Sequence, residues 1–279
     1  MSRYILVSRE IKKGEMNNDS HLLEEYFELG WELSTTHLDT KFLLSKGVYN
    51  KSDIIVTHSG REFFYENLFD NVILWNDFEK LDKNGHIIID MVTNSVNYFF
   101  HKHLCNPNLV WNEQKIKDDI LFSFNYSDIK PTNDYACLVY RKRSHDASRN
   151  MDDGYFNSMI SYVKSKGLDI YVVGYGSEKF TDNKQVFYVD LKDWATLVNN
   201  EKCKLIITTM TGPTNLLNFC GNKETNIFII DKNNSRGDGK GRIVMGECLN
   251  FKNLKYNFVG NPNIQELIKI IEMNVYSSK

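Results

Sequence analysis

Short apolar runs alternate along this chain with stretches in which apolar residues recur every three or four positions. The runs "YACLVY" (135–140), "LDIYVVG", "VFYVDL", "KLIITT" and "NIFII" have the length and β-branched content of buried strands. Between them Phe156, Met159, Ile160 and Val163 fall on one helix face, and Gly167 stands where such a helix would stop. Leu191, Trp194, Ala195 and Val198 mark a second face. The turn Thr211-Gly212-Pro213-Thr214 opens a third helix, with Thr211 as its N-cap and the fixed φ of Pro213 suited to the first turn.

The first half repeats this grammar. "YILVS", "DIIVTHS", "NVILW" and "GHIIID" read as strands; Leu22, Leu23, Tyr26 and Phe27, then "REFFYENLF" and "SVNYFFHKHL", read as helices. A polar stretch from Asn106 to Asn133, with Pro107 and Pro131, reads as a connection. The end returns to helix, with Asn261 as cap, Pro262 at the first position and Ile264, Leu267, Ile268, Ile271 and Val275 on one face. Strands alternating with helices imply parallel sheets covered on both sides. The expectation is an α/β protein of two Rossmann-like domains facing a central cleft. Its parts are residues 1–110, a connection at 111–133, a second domain at 134–260, and a terminal helix at 261–279.

Composition narrows the function classes. A 279-residue chain with 42% hydrophobic and 25% charged residues is an ordinary globular protein. A net charge of −2 provides no global attraction to nucleic acid or to an anionic membrane, so any phosphate binding must be local. No apolar stretch approaches the ~20 residues that span a bilayer, and no signal segment stands at the start, which points to the cytoplasm with at most peripheral membrane contact. The five cysteines, Cys105, Cys137, Cys203, Cys220 and Cys248, lack metal-type spacing, and Cys137, Cys203 and Cys220 read as buried thiols. His101 and His103 fall on different helix faces and form no metal constellation.

Candidate chemistry gathers at the expected C-terminal ends of strands, where ligands of open α/β sheets bind. The Thr209–Asn215 turn places main-chain N–H groups and a positive helix end there, and Gly212 permits close approach. Arg141 and Arg143 follow "YACLVY" on the same side, with guanidinium forks suited to a diphosphate. "VVGYGSEKF" ends a strand with Gly174 and Gly176 and sets Glu178 near a ribose. Lys179 occupies the position where a dinucleotide fingerprint needs glycine, which argues against NAD. In the first half, strand ends carry Ser8, Arg9 and Glu10, then His58 and Ser59 followed by Gly60, Arg61 and Glu62, then Asp90. His58, Glu10 and Asp90 are the candidate bases for a sugar hydroxyl, and Asp90 also reads as a helix N-cap.

On "LDIYVVGYGSE", "DLKDWATLVNNEKCKLIITTMTGPTNLLNFCG" and "NIFIID", the second half resembles the donor-binding domain of GT-B-fold glycosyltransferases. It is closest to the heptosyltransferase type and more distant from fucosyltransferases. The resemblance covers Tyr135 to Asp231, and the first half by layout alone. It implies transfer of a sugar from a nucleoside diphosphate sugar, with inversion, to a hydroxyl of a glycan or lipid-linked glycan held by the first half. It also implies no cofactor, no metal, and a last helix, Asn263–Val275, that crosses back to the first domain. The chain departs from the heptosyltransferase pattern around the turn, where Thr209 or Met210 replaces an acid and Asn215 or Leu216 a histidine. An epimerase or hydrolase on the same fold, or a binding module without catalysis, are the alternative readings.

Overall fold

The structure, a computed structural model, describes residues 2–10, 29–34, 36–94, 120, 122–142, 150–174, 185–231 and 252–276. The chain divides into two compact units, Met1–Tyr126 and Ser127–Lys279. Each is α/β, and its described strands form one parallel sheet.

Unit 1 holds β1 (Arg3–Leu6), β2 (Ile54–Thr57), β3 (Asn71–Leu74) and β4 (Ile87–Asp90), in the order β3-β2-β1-β4. Its helices are α1 (Leu29–Ser34), α2 (Thr36–Ser45), α3 (Trp75–Glu79) and α4 (Met91–Asn94), with a 3-10 turn at Glu62–Phe64. One sheet face packs Leu6 and Val56 on Phe78 of α3. Phe124, just before the boundary of the units, is buried among His37, Phe63 and Phe64.

Unit 2 holds β5 (Tyr135–Tyr140), β6 (Asp169–Gly174), β7 (Phe187–Val189), β8 (Cys203–Thr209), β9 (Asn226–Asp231) and β10 (Tyr256–Gly260), in the order β10-β9-β8-β5-β6-β7. Counted from β5, that is the doubly wound order, in which the winding reverses between the first and fourth strands. Those two strands are β5 and β8, which lie side by side. The helices are α5 (Asp153–Ser165), α6 (Leu191–Asn199), α7 (Gly212–Cys220) and α8 (Ile264–Ile271). Ala136, Leu138 and Tyr140 of β5, with Leu205 and Ile207 of β8, face α5 and α8 in one core cluster. The alternate residues face α6, where the Tyr135 hydroxyl donates to the Leu197 carbonyl. Cys137, Cys203 and Cys220 are buried free thiols; burial raises Cys137 well above the ordinary range and pushes Cys220 up to about 12.

Several sequence expectations need correction. "REFFYENLF" forms only the 3-10 turn: Phe63, Phe64 and Tyr65 are all buried, and three successive buried rings cannot share one helical stripe. "VFYVDL" is not a buried strand but a three-residue edge, with Phe187 and Tyr188 about half exposed. The last helix is capped by Asn263 and not Asn261: Asn263 accepts from Glu266 N–H and Glu266 accepts from Asn263 N–H, a reciprocal capping box. Gly167 does end its helix, at φ +75. The expected helices at Leu22–Phe27 and 95–104 lie outside the described residues, as do Cys105, Cys248, His101 and His103. Among the described residues no helix is long and apolar enough to cross a membrane, and no cluster of His, Cys, Asp and Glu is placed to hold a metal.

Candidate functional site

The reversal of winding in unit 2 sets the end of β5 beside the end of β8, and the sequence there supplies an arginine and a helix start. Arg141 directly follows β5 and shares the sheet face of Tyr135 and Cys137, the face covered by α6. It is 2% exposed and donates through Nη1 to the neutral amide oxygen of Asn150 at 2.9 Å. Thr209 closes β8, and its carbonyl accepts from the hydroxyls of Thr208 at 2.9 Å and Thr214 at 2.5 Å. These bonds pin the start of α7 to the strand.

Thr211 occupies the cap position of α7 in extended conformation, yet its side chain makes no capping bond; its hydroxyl lies 3.4 Å from that of Thr214. The amides of Thr214 and Asn215 return to the Thr211 carbonyl at 3.1 and 3.3 Å. Thr214 is buried, so its hydroxyl and its amide are both consumed within the turn, and Asn215 is half-buried. Pro213 has no N–H. The amides of Thr211 and Gly212 carry no hydrogen bond among the described residues, and they are what the turn leaves for a ligand.

Comparing helix starts within unit 2 shows why α7 is distinct. α5 begins with Asp152 accepting from Tyr155 N–H and with Asp153 in its first turn, the latter held anionic by Lys142 and the Tyr140 hydroxyl. α6 begins with Asp190 as cap and Asp193, and α8 with Asn263 and Glu266. α7 alone among these four has neither a first-turn acid nor a side-chain cap. Among the described residues no side chain caps it and no acid stands in its first turn, whereas the start of α5, the helix after the first strand, already faces carboxylates. Gly174 ends β6 in register with Tyr140. Arg143, Gly176 and Glu178 lie outside the described residues.

Unit 1 gathers Ser8, Arg9, His58 and Asp90 at its own strand ends. Arg9 Nε pairs with Asp90 Oδ2 at 3.0 Å, and its Nη1 donates to the Glu10 carbonyl at 2.6 Å. The other Asp90 oxygen accepts from Val92 and Thr93 N–H, so Asp90 caps α4 as its alternative reading held. Glu10 is exposed. His58 is half-buried; burial first, then the Arg61 charge, push it down to about 4 against a hydrogen bond to the Arg9 main chain. It is therefore neutral at pH 7.

Behind His58 lies a network that the sequence reading missed. Glu32, fully buried, accepts from Thr57 at 3.1 Å, Tyr65 at 2.9 Å and Arg61 at 2.6 Å, and Arg61 also donates to Ser8. Glu32 sits 25 to 33 residues from these partners in sequence, a separation that leaves no local signal. Asn150, nine residues past Arg141, was missed for the same reason. No family model, no curated protein and no solved structure matches this chain.

Proposed function

We propose that unit 2 receives the diphosphate of a nucleoside diphosphate sugar and that the chain is a glycosyltransferase of the GT-B kind. The observation that carries this reading is the uncapped, acid-free start of α7 beside Arg141, at the strand pair where the winding reverses. Breaking the bond between the anomeric carbon and the diphosphate leaves negative charge on phosphate oxygens. The Thr211 and Gly212 amides, the α7 dipole and the Arg141 guanidinium supply preorganised positive potential for it, so the scheme has no call on a metal ion. Unit 1 takes the acceptor, and His58 accepts the proton of the attacking hydroxyl. Asp90 is already committed to Arg9 and to α4, and the neutral state of His58 at pH 7 suits a proton acceptor. Direct attack by that hydroxyl inverts the anomeric centre.

The test is a thermal-shift screen of UDP, GDP, ADP and CMP and their sugars, then incubation of the best donor with glycan acceptors. One base is expected to stabilise the protein by roughly 2.7 kcal/mol at a hundredfold excess over Kd. No shift with any nucleotide removes the donor site from the account. A shift without transfer, but with free sugar or a new sugar nucleotide, replaces the transferase with a hydrolase or epimerase.

A further inference from the structure

The last residue of β8 carries a polar atom that the folded protein leaves unsatisfied. Thr209 is 1% exposed, and its Oγ1 has no hydrogen-bond partner. Its neighbours show that this is not the rule in the turn: the Thr208 and Thr214 hydroxyls lie 2.5 Å apart and within 2.9 and 2.5 Å of the Thr209 carbonyl, so their two protons are shared among these three oxygens. A buried hydroxyl without a partner destabilises a fold, so such groups are rare and call for a reason.

Alternation along β8 gives the direction. Leu205 and Ile207 face the cluster that contains Phe156 and Met159 of α5, and Thr209 follows them on that face. Its hydroxyl thus lies at the strand end on the α5 side, while the α7 start rises from the next residues. The crevice of a doubly wound sheet runs between these two helices at the reversal of winding.

We propose that the Thr209 hydroxyl is a ligand-recognition group, held unsatisfied in the unliganded protein and donating to a phosphoryl oxygen of the bound diphosphate. This deepens the anion-site reading and rests on it. It assigns a residue outside the Thr211–Gly212 amides and makes a joint statement about stability and binding: the atom that costs the empty protein stability is the one the ligand uses.

The near-isosteric substitution Thr209→Val separates the two effects. Melting temperature without ligand and calorimetric affinity for inorganic pyrophosphate and for UDP, GDP, ADP and CMP are measured on the full chain. Thr209→Ser, which keeps the hydroxyl, serves as the control. Thr209→Val is expected to raise the unliganded melting temperature by about 2–4 °C and to weaken pyrophosphate and the nucleotide alike by about 10- to 100-fold. Thr209→Ser should stay within about threefold of wild type, since it retains the donor. A lower melting temperature for Thr209→Val, or unchanged affinity, overturns the proposal. Weakened nucleotide binding with unchanged pyrophosphate binding overturns the phosphoryl assignment. If the wild type binds none of these ligands, the anion-site reading itself falls and this inference falls with it; binding by wild type with no effect of Thr209→Val removes this inference alone.

Discussion

At the strand ends of unit 1, Arg9 lies against Asp90 and Arg61 against Glu32, and at the strand ends of unit 2 Arg141 donates to the amide oxygen of Asn150. The two units part at their helix starts. α4 is closed by the Asp90 carboxylate, while α7 begins with Thr-Gly-Pro and no acid. Both sheets put their strand ends and helix starts in equivalent places, because parallel winding does so for any sequence. What differs is the carboxylate at the helix start. A start already closed by a carboxylate disfavours an anion, whereas one with open amides and no acid in its first turn favours one.

Changes that break this contrast should be graded. Glu32→Ala comes first, because it leaves the Arg61 guanidinium buried without its carboxylate and strips acceptors from Thr57 and Tyr65. A loss of about 3–5 kcal/mol in urea-denaturation stability is expected. The remedy of removing both charges, Glu32→Gln with Arg61→Gln, should recover much of it.

The next effect is on pH dependence. The folded value of His58 is depressed from its ordinary 6.5 to about 4, so the folded chain refuses a proton that the unfolded chain takes up. Stability is therefore lost as pH falls from 6.5 towards 4 and is level below. His37, also depressed by burial and by Lys41, adds to the same acid limb. His58→Gln should make that limb shallower by roughly 2–3 kcal/mol, leaving the His37 part in place, in denaturation curves taken at pH 7.5 and 4.5.

Arg141→Ala is expected to weaken nucleoside diphosphate binding by roughly 2 kcal/mol, about 30-fold, by calorimetry. The smallest energy belongs to Thr211→Asp, which gives α7 the acidic start of its neighbours. It should stabilise unit 2 by about 0.3–1 kcal/mol while abolishing anion binding. If Thr211→Asp still binds pyrophosphate like wild type, the open start of α7 is not the anion site.

How much of this was legible in the sequence depends on the range of each signal. Every strand but β10 (Tyr256–Gly260) was read from an apolar run, since the central parallel strands are buried on both faces and announce themselves locally; the edge strand β10, with its polar Asn257, carries no such run. The Thr211-Gly212-Pro213-Thr214 turn and Arg141 were also found, because a helix start and the residue after a strand are local features. Edge position is not local: Phe187 and Tyr188 look like core residues until the sheet order leaves β7 outermost. The Asn263 cap was legible, as Glu266 three residues on completes a capping box, but Pro262 drew attention to Asn261 instead. Glu32 was invisible because its partners, Thr57, Arg61 and Tyr65, arrive from beyond a strand and a loop. Thr214 shows the opposite limit: its type and position suited a phosphate, but its hydroxyl is spent on the Thr209 carbonyl.

The central claim is that anions are received at the start of α7 and not at the start of α4. Backbone amide chemical shifts followed during titration with inorganic pyrophosphate test it most directly. The account predicts saturable shifts at Thr211 and Gly212 with Val92 and Thr93 unmoved. Saturable shifts at Val92 and Thr93, with Thr211 and Gly212 silent, would contradict it.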